Sequence, residues 1–137
     1  MATNDGLKTA GPLRAGEHIA KGTVVSTIAT AGVVAYTAAQ ILGGLILRDP
    51  AGAGRADTLP TASDIIKALG PDPQVGESFE FTIRNTADAA ETITVSAATG
   101  LTLSGTMTIA QNNSKRFLAV VTSNTAVTVY SLGTVVH

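Results

Sequence analysis

The stretch that decides the fold is ETITVSAATGLTLSGTMTIAQNNS, from Glu91 to Ser114. Threonine or serine alternates in it with aliphatic residues, and its first residue is the only charged one. Alternation with a period of two is typical of β-strands that bury one face. Threonine suits such strands because its branched Cβ packs well on a pleated sheet, while its hydroxyl keeps the outer face wettable. The pattern therefore predicts β-strands whose surface is suited to packing and not to proton transfer.

The same alternation continues on both sides of this stretch. It predicts further strands at 79–84, 116–121 and 127–130, separated by turns rich in glycine, asparagine and serine. Strands spaced every 8 to 12 residues, with turns between them, are typical of an all-β sandwich or barrel. We expect the core to contain six residues that alternate with hydroxyl-bearing neighbours: Ile93, Val95, Met107, Ile109, Val127 and Val129.

The first half of the chain shows a different sequence pattern. Thr23–Ile28 and Val33–Tyr36 are rich in β-branched residues, and the short Ala29–Gly32 segment between them predicts a hairpin-like pair of strands. Gln40–Leu47 is a third apolar run, in which Gly43-Gly44 indicates a bulge or a close approach of the backbone. A loop rich in glycine and proline follows.

One helix is predicted, over residues 62–69 in the sequence TASDIIKALGPDP. Thr61 can cap it, and Asp64 stands three residues later, as in a capping box. Gly70 suits the left-handed position after the helix, and Pro71 prevents continuation.

Together these patterns predict an all-β fold, a jelly-roll-like β-sandwich with one short helix near 62–69 and an extended N-terminal arm. Residues 1–22 form the arm, which is polar and shows no period. Residues 23–60 contribute strands and the glycine- and proline-rich loop. Residues 61–137 contribute the helix and the core of the sandwich.

Composition limits the classes of partner. The formal net charge is -1, and only 14% of the residues are charged, so no overall field favours nucleic acid or anionic lipid. The mean hydropathy is +0.29, which indicates surface hidden against other protein or a membrane. The uncharged segment 23–47 is long enough to cross a bilayer, but its hydroxyl residues and the turn-forming Ala31-Gly32 favour a soluble fold. The first 18 residues are not typical of a signal peptide.

Residues that usually carry chemistry are sparse. The chain has no cysteine, and its two histidines are His18, in the arm, and His137, the last residue. Asp49 and Asp57 are too few for a calcium loop, and the remaining acids fit turns, a helix cap or solvated strand faces. The glycines between 43 and 54 lack the residues that complete a phosphate-binding loop. The sequence therefore predicts a protein that is not an enzyme and that holds no metal or cofactor.

The arginines have two interpretations. As a group they could bind anions or an acidic protein surface, or they could be separate charges that keep the chain soluble. The five are Arg14, Arg48, Arg55, Arg84 and Arg116.

Two stretches resemble known phage proteins. LRAGEHIAKGTVVS resembles the opening of small capsid decoration, or cement, proteins of tailed bacteriophages. LPTASDIIKALGPDPQVGESFEFTIRNTADAAETITV, followed by YSLGTVVH, is similar to a β module that ends several phage virion proteins. Members of the decoration family bind the outside of an assembled capsid shell, often as trimers at local three-fold positions. The chain departs from the smallest decoration proteins in its long C-terminal sandwich.

The resemblance implies a structural virion protein on the capsid surface. Its implied partners are the major capsid protein and further copies of itself in a homotrimer. The candidate capsid or subunit interface residues are Leu7, Leu13, Arg14, His18, Ile19, Arg48, Arg55 and Arg84. The alternative is a tail-fibre or tail-tip module that recognises a host surface, and a concave patch lined by Tyr36 or Tyr130 would favour it. A small enzyme and a membrane protein are the remaining rivals.

Overall fold

The computed structural model describes residues 22–137, and within them the chain is mostly β. The strands are β1 Val24–Ile28, β2 Gly44–Arg48, β3 Arg55–Thr58, β4 Ser78–Asn85, β5 Ile93–Ser96, β6 Leu101–Ser104, β7 Thr108–Ile109, β8 Asn113–Ser123 and β9 Ala126–Val136. The helices are α1 Ala38–Gly43 and α2 Ala62–Leu69. The predicted arm, residues 1–22, lies outside the described residues except for Gly22.

The strands form two mixed sheets. The larger has six strands in the order β1-β2-β4-β8-β9-β6, and the smaller has three in the order β3-β5-β7. Pairing is parallel for β1 with β2, β2 with β4, β3 with β5 and β6 with β9. It is antiparallel for β4 with β8, β8 with β9 and β5 with β7. The β-rich class predicted from the sequence is confirmed, whereas the jelly-roll order stays a prediction.

One hydrophobic core draws on both sheets and both helices. Five of the six residues expected to face inward are buried, and the sixth, Met107, is partly buried against the same cluster. On β4, Phe81 and Ile83 are buried while Glu80 between the aromatic residues is exposed. The period of two therefore identified the inner faces correctly.

Helix α2 spans the predicted residues. The Thr61 hydroxyl accepts a hydrogen bond from the Asp64 backbone N–H at 3.1 Å, which satisfies one of the free donors of the first turn. Gly70 has a positive φ of 127°, but its ψ of 179° lies outside the left-handed helical region that we expected.

The single-helix prediction is wrong, because residues 38–43 form α1 where the sequence indicated a strand with a bulge. Thr37 and Gln40 make a full capping box: the Thr37 hydroxyl accepts from the Gln40 N–H, and the Gln40 side chain accepts from the Thr37 N–H. Gly44, at φ 103°, ends the helix and begins β2. The two glycines mark a helix end and not a bulge.

The predicted hairpin is also wrong. β1 pairs in parallel with β2, and Val33–Tyr36 is not a strand but approaches β3 through an isolated bridge between Ala35 and Thr58. The backbone bonds Tyr36 N–H to Thr58 O and Thr58 N–H to Val34 O, both 2.9 Å, hold it there. No helix in the described residues is long and apolar enough to cross a membrane.

Position 100 requires glycine for two reasons: its backbone has a positive φ, and a side chain would not fit there. Its φ is +84°, and a Cβ added there would lie 2.6 Å from Ala62 Cβ, in α2, and 2.9 Å from Thr125 O. We expect Gly100→Ala to lower the free energy of unfolding by about 2–4 kcal/mol, the sum of a strained φ and an overpacked contact. Gly52→Ala is the control, since Gly52 has φ +98° with nothing within 4 Å. Equal losses of stability in urea for the two variants would contradict the packing contribution.

Candidate functional site

The described structure contains a buried ion pair between β2 and β3. Arg48, the last residue of β2, and Asp57, in β3, both have fully buried side chains. Arg48 Nε lies 2.7 Å from Asp57 Oδ2, and Nη2 lies 3.3 Å from Oδ1. The pair therefore joins the larger sheet to the smaller one in the bidentate geometry that guanidinium and carboxylate favour.

The remaining donors of Arg48 bind backbone carbonyls. Nη1 donates to Thr30 O at 2.8 Å and to Asp49 O at 2.6 Å, and Nη2 donates to Gly32 O at 2.7 Å. An arginine has five N–H donors, so all of them are used. The side chain therefore holds the loop between β1 and α1 through the carbonyls of Thr30 and Gly32.

The carboxylate of Asp57 is also fully hydrogen-bonded. Besides the two bonds from Arg48, it accepts from the Tyr36 hydroxyl at 2.7 Å and from the Val34 N–H at 3.0 Å. We call Tyr36, Arg48 and Asp57 the Arg48 cluster. Because every polar atom of its side chains already has an internal partner, the cluster is built to hold the loop and the two sheets together, not to bind a ligand.

Electrostatics within the cluster follow from burial. Removal from water raises the pKa of the Tyr36 hydroxyl above its ordinary range, and the hydrogen bond to Asp57 raises it further, since a second negative charge beside the carboxylate is unfavourable. Burial alone would lower the pKa of Arg48, but the hydrogen bond and the charge of Asp57 outweigh it, and the pKa is raised. The guanidinium therefore stays charged.

The raised pKa of Tyr36 gives a spectroscopic prediction. In a Tyr130→Phe background Tyr36 is the only tyrosine, so tyrosinate absorbance reports on it alone. We expect no tyrosinate at pH values just above 10 while the chain is folded, and an ionisation midpoint near pH 10 in denaturant. The folded chain then holds one proton more than the unfolded chain, so stability falls as pH rises above about 10. Ionisation of the folded chain near pH 10 would contradict the buried position of the hydroxyl.

Three further buried polar residues support loops. Asn85 donates through Nδ2 to Glu91 O at 2.7 Å and Ile109 O at 3.0 Å, and its Oδ1 accepts from the Ala87 N–H. Glu91 Oε1 accepts from the Gly52 N–H at 2.7 Å, while its buried Oε2 has no protein partner. Lys115 Nζ donates to Thr106 O at 2.9 Å, and burial lowers the pKa of this amine.

The arginines predicted as interface residues are not brought together. Arg48 is buried and makes only internal contacts, so it offers no surface to a partner. Arg84 is exposed and lies on the opposite face of the larger sheet, because its register partner in β2 is Leu47, the residue before Arg48. Arg55 is half-buried, with Nε 3.2 Å from Pro50 O. The other five candidates, Leu7, Leu13, Arg14, His18 and Ile19, lie outside the described residues.

Two shallow grooves flank α2. One, of about 510 Å³, is lined by Ser63, Ile66 and Lys67 of α2 and by the turns at Thr99 and Asn124. The other, of about 490 Å³, runs past Thr37, Thr58 and Asp64 beside Tyr36. Among residues 22–137 no group of three or more histidine, cysteine or acidic side chains is placed to hold a metal ion.

Exposed aliphatic side chains are concentrated at the margins of the larger sheet. Val24 and Val25 of β1 are 65% and 52% exposed, and Leu132, Val135 and Val136 of β9 are 43%, 60% and 74% exposed. Contiguous exposed apolar side chains are common at sites of protein–protein contact.

Comparisons with protein-family models, with curated proteins and with solved structures found no match to this chain. The contacts and the exposed surface of the chain itself are therefore the basis for assigning a function.

Proposed function

We propose that this chain is a structural virion protein that binds the outer surface of a tailed-phage capsid as a decoration, or cement, protein. In this role it forms a homotrimer and has the major capsid protein as its partner. The observation that carries the proposal is the combination of an internally saturated polar cluster with exposed valines and leucine at the sheet margins. A subunit that is covered by its neighbours needs apolar surface for those contacts. It also needs rigid loops more than it needs reactive groups.

The internal saturation of the Arg48 cluster supports a scaffold role. Four carbonyl or carboxylate partners converge on one guanidinium and tie a loop, β2 and β3 together. Because the loops of such a subunit are already ordered, binding to a shell carries little entropic cost for ordering them, which favours affinity. Many copies bound to one shell then act together, since linked contacts gain avidity by roughly 10²–10⁴.

The two sheets are proposed to pack as a β-sandwich. Phe81 and Ile83 of the larger sheet belong to the same buried cluster as Ile93, Val95 and Ile109 of the smaller sheet, which supports this arrangement. The jelly-roll order is retained as the finer proposal, in keeping with the resemblance to phage β modules.

We assign anchoring to the shell to residues 1–22, because a polar segment without a hydrophobic period can order when it binds a neighbouring subunit. The test adds purified chain to empty phage heads that lack it and measures co-sedimentation and the temperature at which the heads break open. We expect the full chain to bind and to raise that temperature, and a chain without residues 1–15 to do neither. Equal binding and protection by the shortened chain would refute the anchor, and no binding by the full chain would refute the decoration role.

One observation favours the tail-module alternative and another opposes it. The groove beside Tyr36 is concave and lined by threonine hydroxyls, but the Tyr36 ring is 2% exposed and its hydroxyl is occupied by Asp57. Saturable binding on a glycan array, together with a position on the tail in micrographs of the particle, would replace the capsid proposal with this one.

A further inference from the structure

The larger sheet has a free edge on each side within the described residues. β1 pairs with β2 alone, so its other edge has no strand beside it. β6 covers β9 only from Val127 to Tyr130, and the rest of β9 pairs with β8 alone. The outer side of β6, Leu101–Ser104, is unpaired as well. The other two unpaired segments are Val24–Ile28 and Leu132–Val136, which we call the β1 edge and the β9 edge. Each is five residues long, which is about 17 Å of strand.

The apolar surface of the described chain is gathered at these two edges. Of the eight large hydrophobic residues that are exposed in residues 22–137, five belong to them, and Tyr130 stands just before the β9 edge. Neither edge carries a charged residue or a proline. Soluble proteins usually guard free edges with charges, proline or bulges. Arg116 pairs with Gly133 and Phe117 with Ser131, so Leu132, the first residue of the β9 edge, is bulged out of the pairing with β8. This bulge guards only the start of the β9 edge, because Gly133–Val136 are regularly paired.

The directions of the strands favour one way of covering both edges. β1, β2 and β4 are parallel, and β9 runs parallel to β4 because β8 is antiparallel to both. The β1 edge and the β9 edge therefore run the same way. A rotation about an axis along the strands keeps strand direction, so it places the β1 edge of one copy beside the β9 edge of the next in parallel pairing. Such head-to-tail contacts generate rings when the rotation closes.

We propose that copies of this chain join edge to edge, with the β1 edge of one copy paired in parallel with the β9 edge of the next, to form a closed ring. The inference deepens the proposed function, since it rests on the homotrimer and gives it an interface. A self-pairing of either edge would cover that edge and leave the other exposed, whereas head-to-tail pairing covers both. Uncharged edges also bring no like charges together.

The test uses three pairs of substitutions in the full chain, each adding two negative charges at exposed positions. Val24→Glu with Val25→Glu blocks the β1 edge, and Val135→Glu with Val136→Glu blocks the β9 edge. The matched control is Val33→Glu with Val75→Glu, since these valines are 65% and 70% exposed and lie on neither edge. Mass in solution is measured by light scattering, and circular dichroism verifies that each variant is folded.

We expect the unchanged chain and the control to form one oligomer of the same mass, about three times the 13.8 kDa chain. Each edge variant alone should be monomeric. A mixture of the two edge variants should give a dimer with one copy of each, because each retains the edge that the other needs. A monomeric unchanged chain, an edge variant that keeps the full mass, or a mixture that forms no dimer would overturn the inference.

The outcomes separate this inference from the decoration role. If the ring forms but the chain does not bind empty heads, the interface stands and the decoration role falls. If the chain binds heads but the edge variants keep the oligomer mass, the edge pairing falls and the decoration role stands.

Discussion

Replacing Asp57 with alanine is expected to lower the free energy of unfolding by about 3–5 kcal/mol, because it leaves the Arg48 guanidinium buried without its counter-charge. Two of the five Arg48 donors would lose their acceptor, and the Tyr36 hydroxyl would lose its own. Urea denaturation followed by circular dichroism measures the change. Domains of this size are stable by only about 5–15 kcal/mol, so the shift in midpoint would be large.

The surface pair between Glu80 and Arg116 provides the control. Arg116 Nε lies 3.4 Å from Glu80 Oε1, and the two side chains are 52% and 61% exposed for Glu80 and Arg116 respectively. We expect Glu80→Ala to cost about 0–1 kcal/mol, as exposed ion pairs usually do. A similar small loss for Asp57→Ala would mean that water reaches Arg48 and that the cluster is not closed.

A double variant tests the source of the effect. Arg48→Met with Asp57→Leu removes both charges, so no unpaired charge stays in the core. We expect the double variant to be more stable than Asp57→Ala alone. The opposite order would show that the carbonyl contacts of Arg48 contribute more than its charge pairing with Asp57.

The inner faces of the strands could be predicted from the sequence because they depend on local alternation alone. In β5 and at the start of β9 each second residue is aliphatic, and Ile93, Val95, Val127 and Val129 are buried as expected. Helix α2 could also be predicted, since Thr61 and Asp64, three residues apart, signal its start. Local signals of this kind need no knowledge of which strand lies beside which.

Strand pairing could not be predicted in the same way. β1 looked like half of a hairpin because Val33–Tyr36 follows it after a short turn, yet its partner β2 begins sixteen residues after β1 ends. Helix α1, which lies between β1 and β2, was not predicted because its residues continue directly into the apolar strand β2. The capping box of Thr37 and Gln40 was the signal that could have revealed it.

The Arg48 cluster was missed for a related reason. An arginine beside Asp49 and Pro50 is ordinary in a solvated loop, and nothing in its spacing shows burial. Its partners are Asp57, nine residues later, and the carbonyls of Thr30 and Gly32, well before it. Only the meeting of two sheets brings these groups together, so the residue that was predicted to face a partner serves the interior instead.

Replacing Phe117 with alanine is the second change for which we expect a large effect, about 3–5 kcal/mol of stability. Phe117 of β8 is fully buried and stands directly opposite Phe81 of β4, with ring centroids 5.1 Å apart. The two strands are central in the larger sheet, with neighbours on both sides, so the surrounding backbone has little freedom to collapse into the cavity.

Phe79→Ala is the matched control, since Phe79 is the same residue type, lies on β4 and is only partly buried. Its ring is 6.1 Å from that of Phe81 and tilted, so its removal opens the core less and should cost clearly less than the removal of Phe117. Urea denaturation of both variants measures the difference. Equal losses would place the centre of the core nearer to Phe79, and the buried stack of Phe81 on Phe117 would then not be what holds β4 against β8.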